Sequence, residues 1–266
     1  MFFDSTYGKI YYDIQGEGPD LVLLHGTPFS SAVWSEILKE LKPYYRIYIY
    51  DLLGYGQSEK VGNVSLDIQN KAFVELMLYW NLQSPYAVAH DFGGATLLRS
   101  IIINQLAISK MLLFDVVALS PWGSPFVKHV KHHEEVFNQI PNYIHKAMVQ
   151  AYIRDALYKP FTDEDLDILV EPWLGEEGKK AFYRQIAQMD QKYTDDIREG
   201  LANINIPTHI LWAEQDNWIP IEKGRELAQL IPSASFTGVS SSNHLMQWDQ
   251  PQVILKAIRD FLPSYE

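Results

Sequence analysis

Ser84-Pro-Tyr-Ala-Val-Ala-His90-Asp91-Phe92-Gly93-Gly94-Ala95 is the stretch of sequence that decides the fold of this chain. Residues 86–89 predict a short buried strand, because they are apolar and have high β-propensity. A helix is predicted from about residue 92 to about residue 104. The small pair Gly93-Gly94 lets that helix approach the strand closely. Asp91 is therefore expected at the apex of a tight turn.

A carboxylate at this apex lies beside the positive end of the following helix, which favours its ionised form. The turn resembles the nucleophile elbow of the α/β-hydrolases, whose usual pattern is Gly-x-Ser-x-Gly. Here Ala89, Asp91 and Gly93 occupy its three fixed positions. The sequence His-Asp-aromatic-Gly-Gly is similar to the branch that uses an aspartate nucleophile, the epoxide hydrolases and haloalkane dehalogenases. Taken alone, an Asp before glycines can also be a helix N-cap.

The composition excludes several classes of function. The chain has 266 residues, 47% hydrophobic and 21% charged, with a net charge of -11, so nucleic acid and anionic membrane surfaces are not expected partners. It has no cysteine, which excludes disulfides, thiol catalysis and cysteine-ligated metals. The first residues lack the pattern of a secretion signal, and no stretch reaches the length of a membrane span. We expect a cytoplasmic protein.

Alternating strands and helices in the first half predict an α/β fold with a mostly parallel sheet and helices on both faces. The resemblance to the α/β-hydrolases implies eight strands and an inserted helical cap. Strands are predicted at residues 9–15, 21–24, 46–50, 86–89, 111–119, about 207–213 and 234–239. Further helices are predicted at residues 32–41, 65–81 and 251–262.

Strand patterns disappear between residues 122 and 198, and helical patterns rich in aromatic residues replace them. We name residues 122–198 the cap segment and predict that it covers the carboxyl ends of the strands, where open α/β sheets bind ligands. The core would then comprise residues 1–121 and 199–266. Within the cap segment, His129 and His133 have the spacing of metal ligands, but their Lys and Glu neighbours are typical of a solvated helix. We expect no metal and no cofactor.

Three residues follow the order nucleophile, acid, base that α/β-hydrolases show along the chain: Asp91, Asp216 and His244. The acid and the base each follow a late strand, so all three side chains can converge on one edge of the sheet. Asp115 lies near the end of another predicted strand. It is the alternative acid, as in some dehalogenase-like relatives.

An ionised aspartate can attack an electrophilic carbon directly and form an alkyl ester of the enzyme. His244, oriented by Asp216, would then activate the water that hydrolyses this ester. Hydrolysis should therefore decrease in acid as His244 becomes protonated, near the ordinary histidine pKa of about 6.5. Backbone N–H groups of Thr27 and Phe92 are the expected donors to the oxyanion that forms on Asp91.

The leaving group distinguishes the possible substrates. An epoxide oxygen needs an acidic O–H, which in the resembling epoxide hydrolases comes from cap tyrosines, and here the candidates are Tyr183 and Tyr152. A halide needs weakly hydrated donors, and the candidates are the indole N–H groups of Trp122 and Trp173. Phe92 stands where dehalogenases commonly have Trp, and it has no donor.

We therefore expect a hydrolase that uses water to open small apolar epoxides to diols. The alternatives are a haloalkane dehalogenase, an esterase-like hydrolase, and a non-catalytic ligand receptor on the same fold.

Overall fold

The computed structural model describes residues 1–60 and 62–263. Within them, eight strands form one sheet in the order β1-β2-β4-β3-β5-β6-β7-β8. The strands are β1 (Phe2–Ser5), β2 (Gly8–Gln15), β3 (Asp20–Leu24), β4 (Arg46–Tyr50), β5 (Tyr86–His90), β6 (Lys110–Phe114), β7 (Thr208–Ala213) and β8 (Ala234–Val239). Strand β2 pairs antiparallel with β1 and β4, and the other pairs are parallel. The predicted eight-stranded, mostly parallel α/β fold is confirmed.

Helices connect most of the strands, and none in the described residues is long and apolar enough to cross a bilayer. They are α1 (Ser35–Leu41), α2 (Leu66–Tyr79), α3 (Phe92–Asn104), α4 (Pro125–Asn138), α5 (Asn142–Arg154), α6 (Asp163–Val170), α7 (Gly175–Ala187), α8 (Lys192–Asp195), α9 (Ile221–Leu230), α10 (Met246–Asp249) and α11 (Pro251–Phe261). Helix α2 packs against α3, and α1 packs against α11.

The centre of the sheet is the core of the protein. In β3, β5 and β6 the last four residues are all buried, as expected for parallel strands that are covered on both faces. Their carboxyl ends point to the same edge of the sheet, because neighbouring parallel strands run in one direction. The side chains that follow these strands are therefore brought close together.

The cap segment contains helices α4 to α8 and no strand. It follows β6 in the chain and precedes β7. Helix α4 packs against α7, and α5 packs against α6 and α7. The division of the chain into core and cap domains at residues 121 and 198 stays a prediction.

Several elements differ from the sequence-based predictions. The strand predicted over residues 111–119 ends at Phe114, because Asp115 has a φ of 47° and this left-handed conformation cannot continue a strand. The helix predicted over residues 32–41 is divided into a 3-10 turn at Ser31–Trp34 and α1. Strand β1 and helices α9 and α10 had no counterpart among the predicted elements.

Candidate active site

Asp91 occupies the tight turn between β5 and α3. Its φ of 48° and ψ of -118° are strained for a residue other than glycine. The surrounding backbone is packed closely around this turn. An added Cβ at Gly26 would lie 2.7 Å from Asp91 Oδ1, and one at Gly93 would lie 2.5 Å from the carbonyl oxygen of Leu24. Both positions therefore require glycine.

The carboxylate of Asp91 is buried, with 2% of the residue exposed. Its Oδ1 accepts a 2.7 Å hydrogen bond from the backbone N–H of Thr27. Its Oδ2 lies 3.5 Å from Nε2 of His244. The N–H of Phe92 is the first of α3, where backbone donors have no partner inside the helix. Backbone N–H groups and the helix dipole thus both favour negative charge on Asp91.

His244 follows β8 and is fully buried. Its Nδ1 lies 2.9 Å from Oδ2 of Asp216, which follows β7. The other oxygen of Asp216 accepts the backbone N–H groups of Trp218 at 2.7 Å and Ile219 at 2.9 Å. The imidazole therefore lies between two carboxylates, those of Asp216 and Asp91.

Asp115 makes a different contact. Its Oδ1 accepts the backbone N–H of Ala213 at 2.8 Å, and its Oδ2 has no hydrogen-bond partner in the described part of the chain. Burial, followed by the nearby charge of Asp216, raises the pKa of Asp115 well above its usual value. Of the two candidate acids, Asp216 is the one that hydrogen bonds to His244, and Asp115 favours its neutral form.

The charge state of His244 differs from the sequence-based expectation. Burial lowers its pKa, but the charges and hydrogen bonds of Asp216 and Asp91 outweigh burial and raise the pKa well above 6.5. The raised pKa moves the expected titration of His244 above 6.5 and favours its imidazolium form between the two carboxylates.

Sequence reasoning did not identify Asn243. Its side-chain oxygen accepts the backbone N–H groups of His244 at 2.8 Å and Asn217 at 2.9 Å. Its amide nitrogen donates to the carbonyl oxygens of Asp155 at 2.8 Å and Leu157 at 3.2 Å. This one side chain joins the His244 loop, the loop after Asp216 and the cap segment. The only sequence signal for Asn243 was its position directly before His244.

His90 is a second residue that was missed. Its Nε2–H donates to the carbonyl oxygen of His244 at 2.9 Å, and the two ring centroids are 4.8 Å apart. Burial, and then the charge of His244, holds the pKa of His90 well below its usual value. A neutral His90 thus fixes the backbone of His244 without adding charge to the site.

Above Asp91 lies a cavity of about 310 Å³, which extends between the core and the cap segment. Thr27 and Asp91 are buried lining residues and define its inner end, whereas Asp155 and Asn217 are exposed lining residues. Most of the other lining residues are apolar or aromatic, among them Phe92, Val117, Trp122, Phe126, Tyr152 and Trp218. A pocket of this size and character suits a small apolar ligand.

A family model described as alpha/beta hydrolase family matches residues 21–257. The chain belongs to the alpha/beta hydrolase family. A crystal structure of an alpha/beta hydrolase fold protein from Burkholderia ambifaria is 44% identical, with a TM-score of 0.95, and the match covers 98% of this chain and 97% of that one. The chain is therefore a hydrolase of known architecture.

Two further proteins are similar to this chain in sequence or in fold. A pimeloyl-[acyl-carrier protein] methyl ester esterase of Vibrio vulnificus is 23% identical over 95% of this alpha/beta hydrolase and 97% of its own length. A haloalkane dehalogenase from Bradyrhizobium elkani has a TM-score of 0.82 at 17% identity, over 98% of this chain and 96% of that one. The second likeness shows the fold alone.

Three of the four leaving-group candidates use their donors elsewhere in this alpha/beta hydrolase. Tyr183 does not line the cavity, and its hydroxyl lies 3.0 Å from Nδ1 of His145. The indole N–H of Trp173 donates to the carbonyl oxygen of Pro28 at 2.7 Å. Trp122 lines the cavity with its ring, but its N–H donates to the Thr194 hydroxyl at 2.9 Å: the donor is already engaged.

Tyr152 is the remaining candidate. Its ring lines the cavity and stacks on Trp218, with a centroid distance of 4.6 Å. Its hydroxyl has no hydrogen-bond partner in residues 1–60 and 62–263. Burial, followed by the charge of Asp91, raises the pKa of Tyr152. The phenol therefore holds its proton, and it is a weaker acid than a free tyrosine.

The histidines of α4 lie apart from this cavity. His129 and His133 are exposed, with ring centroids 4.8 Å apart. Within the described residues no group of three His, Cys, Asp or Glu side chains is arranged to hold a metal ion.

Proposed function

We propose that this hydrolase uses Asp91 as a nucleophile, forms a covalent alkyl ester, and opens epoxides to diols. The observation that carries the proposal is the position of the Asp91 carboxylate. It lies at the inner end of an apolar cavity, with Oδ1 on the Thr27 N–H and Oδ2 3.5 Å from His244. An ionised oxygen in that position can attack carbon without first losing a proton.

In the first step Oδ2 of Asp91 attacks an epoxide carbon, and the ring C–O bond breaks. Oδ1 stays on the Thr27 N–H and becomes the carbonyl oxygen of the ester. The departing oxygen takes the proton of the Tyr152 hydroxyl, and Tyr152 regains a proton from water. The protonated and unpartnered state of this hydroxyl supports the role, because a general acid must hold its proton near the leaving atom.

In the second step water attacks the ester carbonyl carbon of Asp91. Alkylation has removed one of the two carboxylate charges that raise the pKa of His244. The imidazole can then release its proton to solvent, where it neutralises the hydroxide formed when Tyr152 was reprotonated, and Nε2 can accept a proton from the attacking water. Backbone N–H groups of Thr27 and Phe92 would stabilise the oxyanion. When this intermediate collapses, the bond to the substrate oxygen breaks, that oxygen takes the remaining hydroxyl proton and leaves as the diol, and the Asp91 carboxylate is restored.

The indole contacts favour epoxides over haloalkanes. A departing halide needs donors that point into the cavity, but the N–H groups of Trp122 and Trp173 are engaged elsewhere. A third indole, Trp218, donates to Oδ2 of Asp155 at 3.0 Å. Each of these N–H groups would have to leave a hydrogen bond before it could bind a halide, which costs free energy.

The test compares small aryl epoxides, bromoalkanes and nitrophenyl esters, assayed for diol, bromide and nitrophenol. We expect diol release, and we expect Tyr152→Phe to slow it by about 10² to 10⁴, the range of general acid catalysis. His244→Gln incubated with the epoxide should gain the mass of one substrate, and the double variant Asp91→Asn/His244→Gln should gain none.

Other outcomes would overturn the proposal. Faster bromide release than diol release would assign a dehalogenase, and nitrophenol release alone would assign an esterase. No product and no mass increase with any of these substrates would favour a ligand receptor.

A further inference from the structure

We infer that the cavity favours substrates with a cationic group remote from the reacting carbon, and disfavours carboxylates, with Asp155 as the residue that sets this selectivity. The inference rests on the proposed function, because it assumes attack by Asp91 at the inner end of the cavity. The inference specifies the charge of the preferred substrate, which the apolar lining alone does not indicate.

Two carboxylates line this one cavity. Asp91 is buried at the inner end, whereas Asp155 is exposed and follows the end of α5 in the cap segment. The indole N–H of Trp218 donates to Asp155 Oδ2 at 3.0 Å, and the side-chain amide of Asn243 donates to its carbonyl oxygen at 2.8 Å. Because hydrogen bonds hold both the side chain and the backbone of Asp155, its carboxylate is fixed at the solvent side of the cavity.

Asp155 has no positively charged partner in residues 1–60 and 62–263. Among the described residues that line the cavity there is no Lys, Arg or His, and no salt bridge to Asp155 is formed in that part of the chain. The nearest basic residue in sequence, Arg154, pairs with Asp163 at 2.7 Å. Lys131, which contacts the carbonyl oxygen of Met189 at the cavity, pairs with Asp190 at 3.1 Å.

The catalytic groups do not reverse this sign. His244 lies between the carboxylates of Asp91 and Asp216, so even a protonated imidazole brings no excess positive charge to the site. The whole chain has a net charge of -11. A ligand that approaches the cavity therefore meets a negative potential on its way in and at both ends of the site.

The expected effect is moderate because Asp155 is solvated. A charge held in a cavity of this size lies on the order of 6 Å from Asp155. At an effective dielectric constant of about 40, this interaction raises the affinity for a cationic group about ten-fold and lowers the affinity for an anionic group about ten-fold. Salt should weaken the effect, since the screening length is about 10 Å at 0.1 M ionic strength and about 3 Å at 1 M.

The experiment uses three phenyl oxiranes with aminomethyl, hydroxymethyl or carboxylate groups in the para position, and measures kcat/KM for diol release. For the unmodified protein we expect kcat/KM to be highest for the aminomethyl substrate, intermediate for the hydroxymethyl substrate and lowest for the carboxylate. Asp155→Asn keeps an oxygen for the Trp218 indole. It should lower kcat/KM about ten-fold for the aminomethyl substrate and raise it about ten-fold for the carboxylate.

A folding measurement and a second variant serve as controls. Circular dichroism and a thermal unfolding transition that match those of the unmodified protein show that Asp155→Asn folds. Glu164→Gln removes another exposed carboxylate of the cap segment that lies outside the cavity, and it should alter none of the three values. Equal kcat/KM for the cationic and anionic substrates in the unmodified protein, or ratios unaffected by Asp155→Asn, would refute the inference but leave the proposed function standing. No diol from any of the three would refute both.

Discussion

Asp216→Asn tests the proposed second step most directly. Oδ1 of Asp216 accepts two backbone N–H groups, and Oδ2 faces Nδ1 of His244 at 2.9 Å. In the variant the side-chain oxygen should stay on the two backbone donors, which leaves the new NH₂ group facing Nδ1. Because that group donates, Nδ1 must accept, and the proton of the neutral imidazole moves to Nε2. His244 would then have no lone pair facing the water.

The size of the effect follows from this change of tautomer. The same substitution in a serine protease triad lowers kcat about 10⁴-fold, and we expect a loss of about 10³ to 10⁴ in hydrolysis of the ester. This is about 4 to 5.5 kcal/mol of activation free energy. Attack by Asp91 needs no base, so alkylation should change much less. Rapid mixing with an epoxide should give one equivalent of alkylated enzyme by intact mass, followed by very slow diol release.

Asp115→Asn is the matched control, because the side chains of Asp115 and Asp216 are both fully buried and each follows a parallel strand. The raised pKa of its carboxyl favours the neutral acid, and an amide oxygen can still accept the N–H of Ala213. We expect at most about a five-fold change, the equivalent of one ordinary hydrogen bond of about 1 kcal/mol. Full turnover in Asp216→Asn together with loss in Asp115→Asn would reassign the acid and refute the reasoning.

Three further predictions concern other contacts. Because the Asp91 carboxylate raises the pKa of His244, Asp91→Asn should lower it; an unchanged NMR titration of the imidazole would contradict the 3.5 Å contact. Gly26→Ala would displace the nucleophile and should lower kcat/KM by about 10² or more, whereas Gly62→Ala, with open space around the added Cβ, should have full activity. Arg99 is buried and donates to the side-chain oxygen of Asn70 and the carbonyl oxygen of Tyr193, so Arg99→Met leaves both acceptors without this donor and should lower the free energy of unfolding by about 3 kcal/mol in urea denaturation; an unchanged value would show that these contacts add no net stability.

The elbow could be predicted from local signals alone. An apolar run, two small residues and a helical pattern lie within about twenty residues of Asp91. They placed the boundaries of β5 and α3 to within one residue. Asp115 shows where such signals fail. The apolar pattern continues past it to Leu119, and only the left-handed backbone at Asp115 ends the strand, a conformation that hydrophobic periodicity does not encode.

The leaving-group donors could not be selected from the sequence, because their partners are distant along the chain. Trp173 donates to Pro28, and Trp122 donates to Thr194. A pattern of aromatic residues indicates a helical, aromatic-rich segment but does not say which polar tips are already engaged. What distinguishes the two tyrosines is that the Tyr152 hydroxyl is unpartnered at the cavity, whereas the Tyr183 hydroxyl contacts His145.

The proposed mechanism also explains why an ionised nucleophile and a strongly basic histidine can work in one site. At rest Asp91 and Asp216 both stabilise the imidazolium of His244, a form that could not accept a proton from water. Alkylation makes Asp91 neutral and withdraws one of the two charges at the moment when a neutral imidazole is required. A serine nucleophile is neutral before and after acylation, so it brings no such change. In this reading the attack of the carboxylate on carbon also prepares the base for the step that follows.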